Sequence, residues 1–385
     1  MKILSVVGAR PNFMKIAPFC HEIKRYNLSS KENKIEHILV HTGQHYDVRM
    51  SEAFFKALSI PNPDINLEVG SGSHAEQLAY TMIEFEKVLL SYQPDWVVVV
   101  GDVNATLSCS IIAKRLNIKV CHIEAGLRSG DMGMPEEINR LVTDRISDLL
   151  LTPDKMSSKN LLDEGTPENK IRFVGNIMID TLESNRKIAS ELSIKDIIIN
   201  NIAEGCVIPE IFPQDNKYAV MTLHRPSNVD DNTIFSALIK FLLQEVSQDH
   251  MLLWPIHPRA KKQLKLCGLW EMVLNHPSLI LLEPIGYHEM LRLNMTAKIM
   301  LTDSGGLQEE CCVLGTPCLT MRWNTERPVT LREYGGASVL VGNNIERISK
   351  EYKETLNIDR MPTRPELWDG NTAQRVVSEI MNYTN

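Results

Sequence analysis

The sequence predicts an α/β fold built as two domains, each around a largely parallel sheet, and three observations carry that prediction. Short apolar runs recur, each followed by a polar or glycine-bearing loop and then a segment of helical period, which is the pattern of repeated βα units. The run 96–100 reads Trp-Val-Val-Val-Val with no polar alternation, so both of its faces should be covered, as in the middle of a parallel sheet. The chain has 385 residues, which exceeds the roughly 250–300 at which a single core stops growing.

Taken in order, the first-half runs are 2–7, 35–41, 96–100, 120–123 and 149–152. After Val174-Gly175-Asn176 the pattern loosens through a polar stretch near 183–215, then restarts with runs at 218–223, 251–256, 279–282, 299–302 and 318–321. This places a first domain over 1–178 and a second over 179–365. The tail 366–385, helical in its last part, is expected to pack back on the first.

Composition narrows the function. A net charge of −7 argues against nucleic acid as the partner, because binding a phosphate backbone needs a basic face. No run of about 18 apolar residues is present and the chain opens on a strand, so no membrane association is expected and the cytoplasm is the expected compartment. The eight cysteines lack C-x-x-C spacing and fall mostly in apolar runs, so they read as reduced core thiols, with no metal site.

In parallel sheets ligands sit beyond the carboxyl ends of strands, and the unusual polar residues cluster there. Gly8-Ala9-Arg10-Pro11-Asn12-Phe13-Met14-Lys15 turns from a strand into a helix with two cations near free N–H groups, which suits an anion; with one glycine it is not a dinucleotide fingerprint. A turn with solvated cations is the structural alternative. The next loops are Thr42-Gly43-Gln44-His45-Tyr46-Asp47, Gly101-Asp102-Val103-Asn104 and Glu124-Ala125-Gly126-Leu127-Arg128. Asp102 and Glu124 follow wholly apolar strands, where desolvation tunes a carboxylate for acid or base work; either alone would also serve as a helix cap. Pro135-Glu136-Glu137 reads as good helix-start chemistry, with Glu137 a further acid candidate.

In the second half, His224-Arg225 and His257-Pro258-Arg259 each follow a strand, a placement that suits phosphate contact. Asp303-Ser304-Gly305-Gly306-Leu307-Gln308-Glu309-Glu310 joins a strand end to a helix start, where backbone N–H groups and the helix dipole would cradle a phosphate while Glu310 reaches a ribose hydroxyl. Arg322 and Thr325-Glu326-Arg327-Pro328 add two guanidiniums and a carboxylate.

Along nearly its whole length the sequence resembles the non-hydrolysing UDP-N-acetylglucosamine 2-epimerases. The resemblance rests on the motifs Gly8-Ala9-Arg10-Pro11, Thr42-Gly43-Gln44-His45-Tyr46-Asp47, His122-Ile123-Glu124-Ala125-Gly126-Leu127-Arg128-Ser129, Pro135-Glu136-Glu137-Ile138-Asn139-Arg140, Asp303 to Glu310 and Thr325-Glu326-Arg327-Pro328. It implies a GT-B-like fold of two Rossmann-type domains with the active site in the cleft between them, and a homodimer. Asp102, Glu124, Glu137 and His224 match the family's catalytic candidates. Arg10, Lys15, His257, Ser304, Gly305, Gly306, Glu310 and Arg327 are the expected contacts to the UDP-sugar. Arg259, Trp323-Asn324 and Tyr334-Gly335-Gly336-Ala337-Ser338 depart from common family patterns, which bears on the sugar accepted and on any regulatory second nucleotide-sugar site.

The implied chemistry needs no cofactor or metal: UDP leaves C1 as a carboxylate removes the C2 proton, and UDP re-adds with the proton delivered to the opposite face. Alternatives are a UDP-2,3-diacetamido-2,3-dideoxyglucuronate 2-epimerase, a hydrolysing relative, a GT-B glycosyltransferase using a UDP-sugar donor, and a non-catalytic nucleotide-sugar sensor.

Overall fold

The computed structural model describes residues 1–8, 10–30, 32–43 and 58–383, with the backbone alone for Arg10 and Pro11. Two compact units divide the chain, residues 1–184 with 365–385 and residues 185–364.

The first unit carries a sheet of β1 (Lys2–Val7), β2 (Glu36–His41), β3 (Ile65–Asn66), β4 (Trp96–Val100), β5 (Lys119–Ile123), β6 (Leu149–Thr152) and β7 (Ile171–Phe173). The strands are all parallel in the order β3-β2-β1-β4-β5-β6-β7. The second unit repeats the plan with β8 (Tyr218–Thr222), β9 (Met251–Pro255), β10 (Leu279–Leu282), β11 (Ile299–Thr302), β12 (Cys318–Thr320) and β13 (Ser338–Leu340), in the order β10-β9-β8-β11-β12-β13. Each chain path leaves one side of its first strand and resumes on the other, between β1 and β4 and between β8 and β11. At such a reversal the loops diverge and open a crevice at the carboxyl ends of the strands.

Burial explains why the strands read as apolar runs. All five residues of β4 are buried, between β1 and β5. In the second sheet, Ala219, Met221, Leu252, Trp254 and Leu301 fill one face, and Tyr218, Val220, Leu253, Ile280 and Met300 the other. Alternate residues thus enter two cores, as a doubly covered parallel sheet requires.

The helices that place the functional residues are α1 (Arg10–Ser29), α2 (Asn104–Arg115), α3 (Pro135–Ile146), α4 (Ile177–Ser190), α5 (Ile194–Asn201), α6 (Pro258–Leu266), α7 (Tyr287–Thr296), α8 (Gly305–Leu314) and α9 (Thr372–Met381). The stretch in which the sequence pattern loosens holds α4 and α5; α5 buries Ile194, Ile197 and Ile198, a short apolar stripe among polar neighbours. β3, β7 and β13 also escape the sequence reading. They are sheet-edge strands of two or three residues, only partly buried, so they carry no long apolar run. The helix α9 lies against α1, and the tail before it buries Trp368, whose indole N–H donates to the Pro153 carbonyl at 2.9 Å. Among the described residues no helix is long and apolar enough to cross a membrane.

Candidate functional site

In the first unit the loops after β1, β4 and β5 converge. Asn12 ties them together: its side-chain oxygen accepts from the Gly8 amide at 3.1 Å, and its Nδ2 donates to the Val100 carbonyl at 2.8 Å. One turn further along α1, the buried Lys15 ammonium pairs with the buried Glu124 carboxylate. Glu124 has a φ of +74°, a left-handed conformation costly for a non-glycine residue. Its own amide and that of Ala125 both donate to the Leu151 carbonyl at 3.0 Å, which holds the strained turn. Gly101 also lies at positive φ, +69°, and a Cβ there would stand 3.0 Å from Lys15 Nζ and 3.4 Å from Glu124 Oε2. Only glycine leaves that ion pair its room.

Asp102 follows directly. Its carboxylate takes a two-point hydrogen bond from Arg140, Nη2 at 2.6 Å and Nε at 3.0 Å, while its carbonyl accepts from Asn139 Nδ2 at 2.8 Å. Arg140 therefore holds Asp102 in one orientation. It also contacts Glu137 at 2.5 Å, and Glu137 accepts from the Ser129 and Gly130 amides and the Ser129 hydroxyl at 2.9–3.1 Å. Burial would push the Glu137 carboxyl up, but those amides and the Arg140 guanidinium outweigh it and hold the group below the usual carboxylate range. Its neighbour Glu136 is exposed. Of the two acids at the start of α3, Glu137 anchors the 129–130 loop and Glu136 faces solvent.

Beneath these loops lies a layer that spacing does not announce. His122, fully buried on β5, places Nδ1 2.6 Å from Asp144 and Nε2 2.8 Å from the Gly101 carbonyl. Asp144 also accepts from Arg128 at 2.7 Å and the Gly126 amide at 3.0 Å. Burial opposes its ionisation, yet His122 and Arg128 together hold its carboxyl below the usual range.

In the second unit the loops after β8 and β11 meet at Asp303. This carboxylate is fully buried, accepts from the His224 and Arg225 amides at 2.9–3.2 Å, and pairs with His224 Nδ1 at 2.7 Å. Burial alone would raise its carboxyl; the His224 ring and the two amides outweigh that and hold it low. The His224 side chain is 40% exposed, so with Nδ1 engaged its Nε2 is the nitrogen available to a ligand. The His257 ring lies 5.7 Å from it, centroid to centroid, and its Nδ1 accepts from the Arg259 amide at 3.2 Å at the start of α6.

Ser304 is the N-cap residue of α8, and its hydroxyl caps none of the helix amides. Gly306 has open space where a Cβ would stand, so a ligand could approach that helix end closely. Gly305 is different. A Cβ there would stand 2.8 Å from Arg327 Nη1 and 3.0 Å from Glu326 Oε1, because the start of α8 rests on a buried ionic chain. In that chain Arg322 pairs with Glu326 at 2.6 Å, Glu326 with Arg327, and Arg327 with Glu309 at 2.7 Å.

The expected residues thus fall into three groups. Lys15, Asp102 and Glu124 share one loop cluster, and His224, His257, Ser304, Gly305 and Gly306 line another. Glu137 and Arg327 turn inward, into structural networks, and Glu310 is buried beside Tyr287 and Asn294, where burial raises its carboxyl to about 7. The side chain of Arg10 and residues Gln44 to Asp47 lie outside the described residues. Asn12, Arg140, His122, Asp144 and Asp303 are not among the expected site residues, although they stand within or near the same motifs. Their roles come from partners distant in sequence.

A family model described as UDP-N-acetylglucosamine 2-epimerase matches residues 28–381. The UDP-N-acetylglucosamine 2-epimerase of Methanocaldococcus jannaschii is 40% identical over 384 residues, covering 100% of this chain and 99% of its own. The UDP-2,3-diacetamido-2,3-dideoxy-D-glucuronate 2-epimerase of Pseudomonas aeruginosa is 34% identical, with 99% of each chain covered. A crystal structure of the M. jannaschii enzyme in complex with UDP-GlcNAc and UDP superposes with a TM-score of 0.87 at 39% identity, covering all of both chains. A lipopolysaccharide outer-core galactosyltransferase shares the fold alone, with a TM-score of 0.52 at 12% identity, which marks the architecture as GT-B-like. With a family model matching residues 28–381, and a relative and a solved structure matching along its whole length, this chain belongs to the UDP-N-acetylglucosamine 2-epimerase family of isomerases.

Proposed function

We propose that this protein interconverts UDP-N-acetylglucosamine and UDP-N-acetylmannosamine by eliminating and re-adding UDP. The observation that carries the reading is the division of chemistry between the two strand-order reversals. One presents paired acids beside a lysine, Asp102, Glu124 and Lys15. The other presents an Asp303-oriented His224 beside the open helix end at Ser304-Gly306, an arrangement that suits a phosphate. The reading gives the proton chemistry of the sugar to Asp102 and Glu124 and the diphosphate to His224 and the start of α8, with Arg10 and His257 adding contacts.

In the elimination the C1–O bond breaks with its electron pair leaving on the diphosphate. The C2–H pair forms the C1=C2 double bond of a 2-acetamidoglucal, and the proton passes to a carboxylate. Re-addition reverses each step with the proton delivered to the other face. Asp102 and Glu124 carry the proton transfers; Glu137 and Arg327 act through the residues that they hold. Positioned acid–base catalysis supplies about 10²- to 10⁴-fold, so most of the acceleration falls to stabilising the departing diphosphate through His224 and the α8 amides.

The test is incubation with UDP-N-acetylglucosamine in D₂O, without added cofactor, followed by proton NMR. Deuterium at C2 together with a growing UDP-N-acetylmannosamine signal is the expected result. Exchange only with UDP-2,3-diacetamido-2,3-dideoxyglucuronate would transfer the reading to the substrate named for the P. aeruginosa relative. No exchange with either substrate would sink it.

A further inference from the structure

We infer that His122 is a positioning residue for this reaction: a buried imidazolium, clamped between the Asp144 carboxylate and the Gly101 carbonyl, that fixes the peptide carrying Asp102 and the strand end carrying Glu124. The inference rests on the proposed epimerase reading for its kinetic consequence, and on geometry for its charge state.

Hydrogen-bond chemistry dictates that charge. A carbonyl oxygen only accepts, so His122 Nε2, 2.8 Å from the Gly101 carbonyl, carries a hydrogen. Nδ1 lies 2.6 Å from Asp144 Oδ1, a length suited to a charge-assisted bond. Asp144 Oδ2 already takes the Arg128 guanidinium at 2.7 Å and the Gly126 amide at 3.0 Å, and donors of that kind favour the ionised carboxylate. An ionised Asp144 obliges Nδ1 to donate as well, so both ring nitrogens carry hydrogens. The ring is fully buried, away from solvent.

Its position gives the charge a purpose. The Gly101 carbonyl belongs to the peptide that continues into Asp102, and Gly101 is held at positive φ with its amide donating to the Ile123 carbonyl at 3.1 Å. Ile123 separates His122 from the strained Glu124. One ring therefore braces the loop that carries Asp102 from the strand that carries Glu124, in a region whose charged groups are the pairs Lys15–Glu124, Arg140–Asp102 and Arg128–Asp144. Small displacements of reacting groups cost up to about 10²-fold in rate, so loosening this brace should reach kcat rather than substrate affinity.

The substitution Asp144→Asn separates charge from contact. The amide oxygen of the introduced side chain can still accept from Gly126 and Arg128 while its nitrogen donates to a neutral His122 Nδ1, so every hydrogen bond survives and the imidazolium is lost.

The experiment is ¹⁵N-edited NMR of the ¹⁵N-histidine-labelled full chain at neutral pH, with steady-state kinetics of the wild type, His122→Gln and Asp144→Asn. Expected are protonated shifts at both His122 nitrogens in the wild type and one unprotonated nitrogen in Asp144→Asn. Both variants should lose about 10–100-fold in kcat with KM changed less than about threefold, on the displacement argument above. An unprotonated His122 nitrogen in the wild type, or wild-type kcat in folded Asp144→Asn, overturns the inference. Should His122→Gln fail to fold, Asp144→Asn and the wild-type spectrum decide between the two outcomes. A wild type inactive on every nucleotide sugar tried would instead sink the epimerase reading, leaving the charge state to be judged by the spectrum.

Discussion

At the residue scale, the site depends on small numbers of atoms placed where their alternatives are expensive. Glu124 combines a left-handed backbone with a buried carboxylate, and both costs are borne at one residue. Glu124→Gln should lower kcat by about 10²- to 10⁴-fold, the range of positioned acid–base catalysis; a loss under about tenfold would remove it from the chemistry. The neighbouring acids of α3 make a sharper comparison. Glu137→Gln keeps one oxygen for the Ser129 and Gly130 amides but puts a donor NH2 where the other accepts from the Ser129 hydroxyl and Arg140, and removes the charge paired with that guanidinium; it should lower thermal stability together with activity, whereas Glu136→Gln, altering an exposed side chain, should leave stability unchanged. Equal melting temperatures for the two variants would contradict the anchoring role. Gly305→Ala would drive a Cβ against Arg327 and Glu326, and should destabilise the second unit by about 1–3 kcal/mol in denaturant unfolding while weakening UDP binding.

At the scale of elements, the docking of α9 is the clearest case of one helix end satisfied by a distant side chain. The Asp180 carboxylate on α4 accepts from the Thr372 and Ala373 amides at 3.0 and 2.7 Å, capping α9 from another element. Burial nevertheless raises its carboxyl to about 6, only partly countered by those amides and by Arg375. The folded state therefore binds this proton more tightly than the unfolded chain. The stabilisation is fully present below about pH 4 and is lost as pH rises through about 6. Its size is on the order of 2–3 kcal/mol. Asp180→Asn should flatten this part of the pH–stability curve, so that wild type minus variant changes between pH 4 and 7. A constant difference over that window would disprove the linkage.

At the scale of the whole molecule, the chain closes the first unit with its last residues. Trp368, Ala373, Val376, Val377 and Ile380 are all buried there. Deleting 365–385 removes those contacts from the first unit, to which the segment belongs. In calorimetry the truncated chain should lose or sharply lower one transition and retain the other; loss of both together would show that the units do not unfold independently.

The sequence by itself determined the α/β class and the parallel sheets, and set the polar motifs at the strand ends, because buried parallel strands require unbroken apolar runs and polar residues have to sit where those runs end. Trp96–Val100 and the motif from Asp303 to Glu310 show both constraints directly. Only the tertiary structure decided which of those polar residues stay exposed and which face each other. Adjacent acids such as Glu136 and Glu137 are alike in one dimension, and their roles separate only when Ser129, Gly130 and Arg140 fold against one of them. The same holds for Arg327, which a basic motif offers to a substrate and packing gives to Glu309 and Glu326. Apolar burial is legible locally because each residue carries its own hydrophobicity, whereas a hydrogen bond or an ion pair belongs to two residues and exists only once the fold has brought them together.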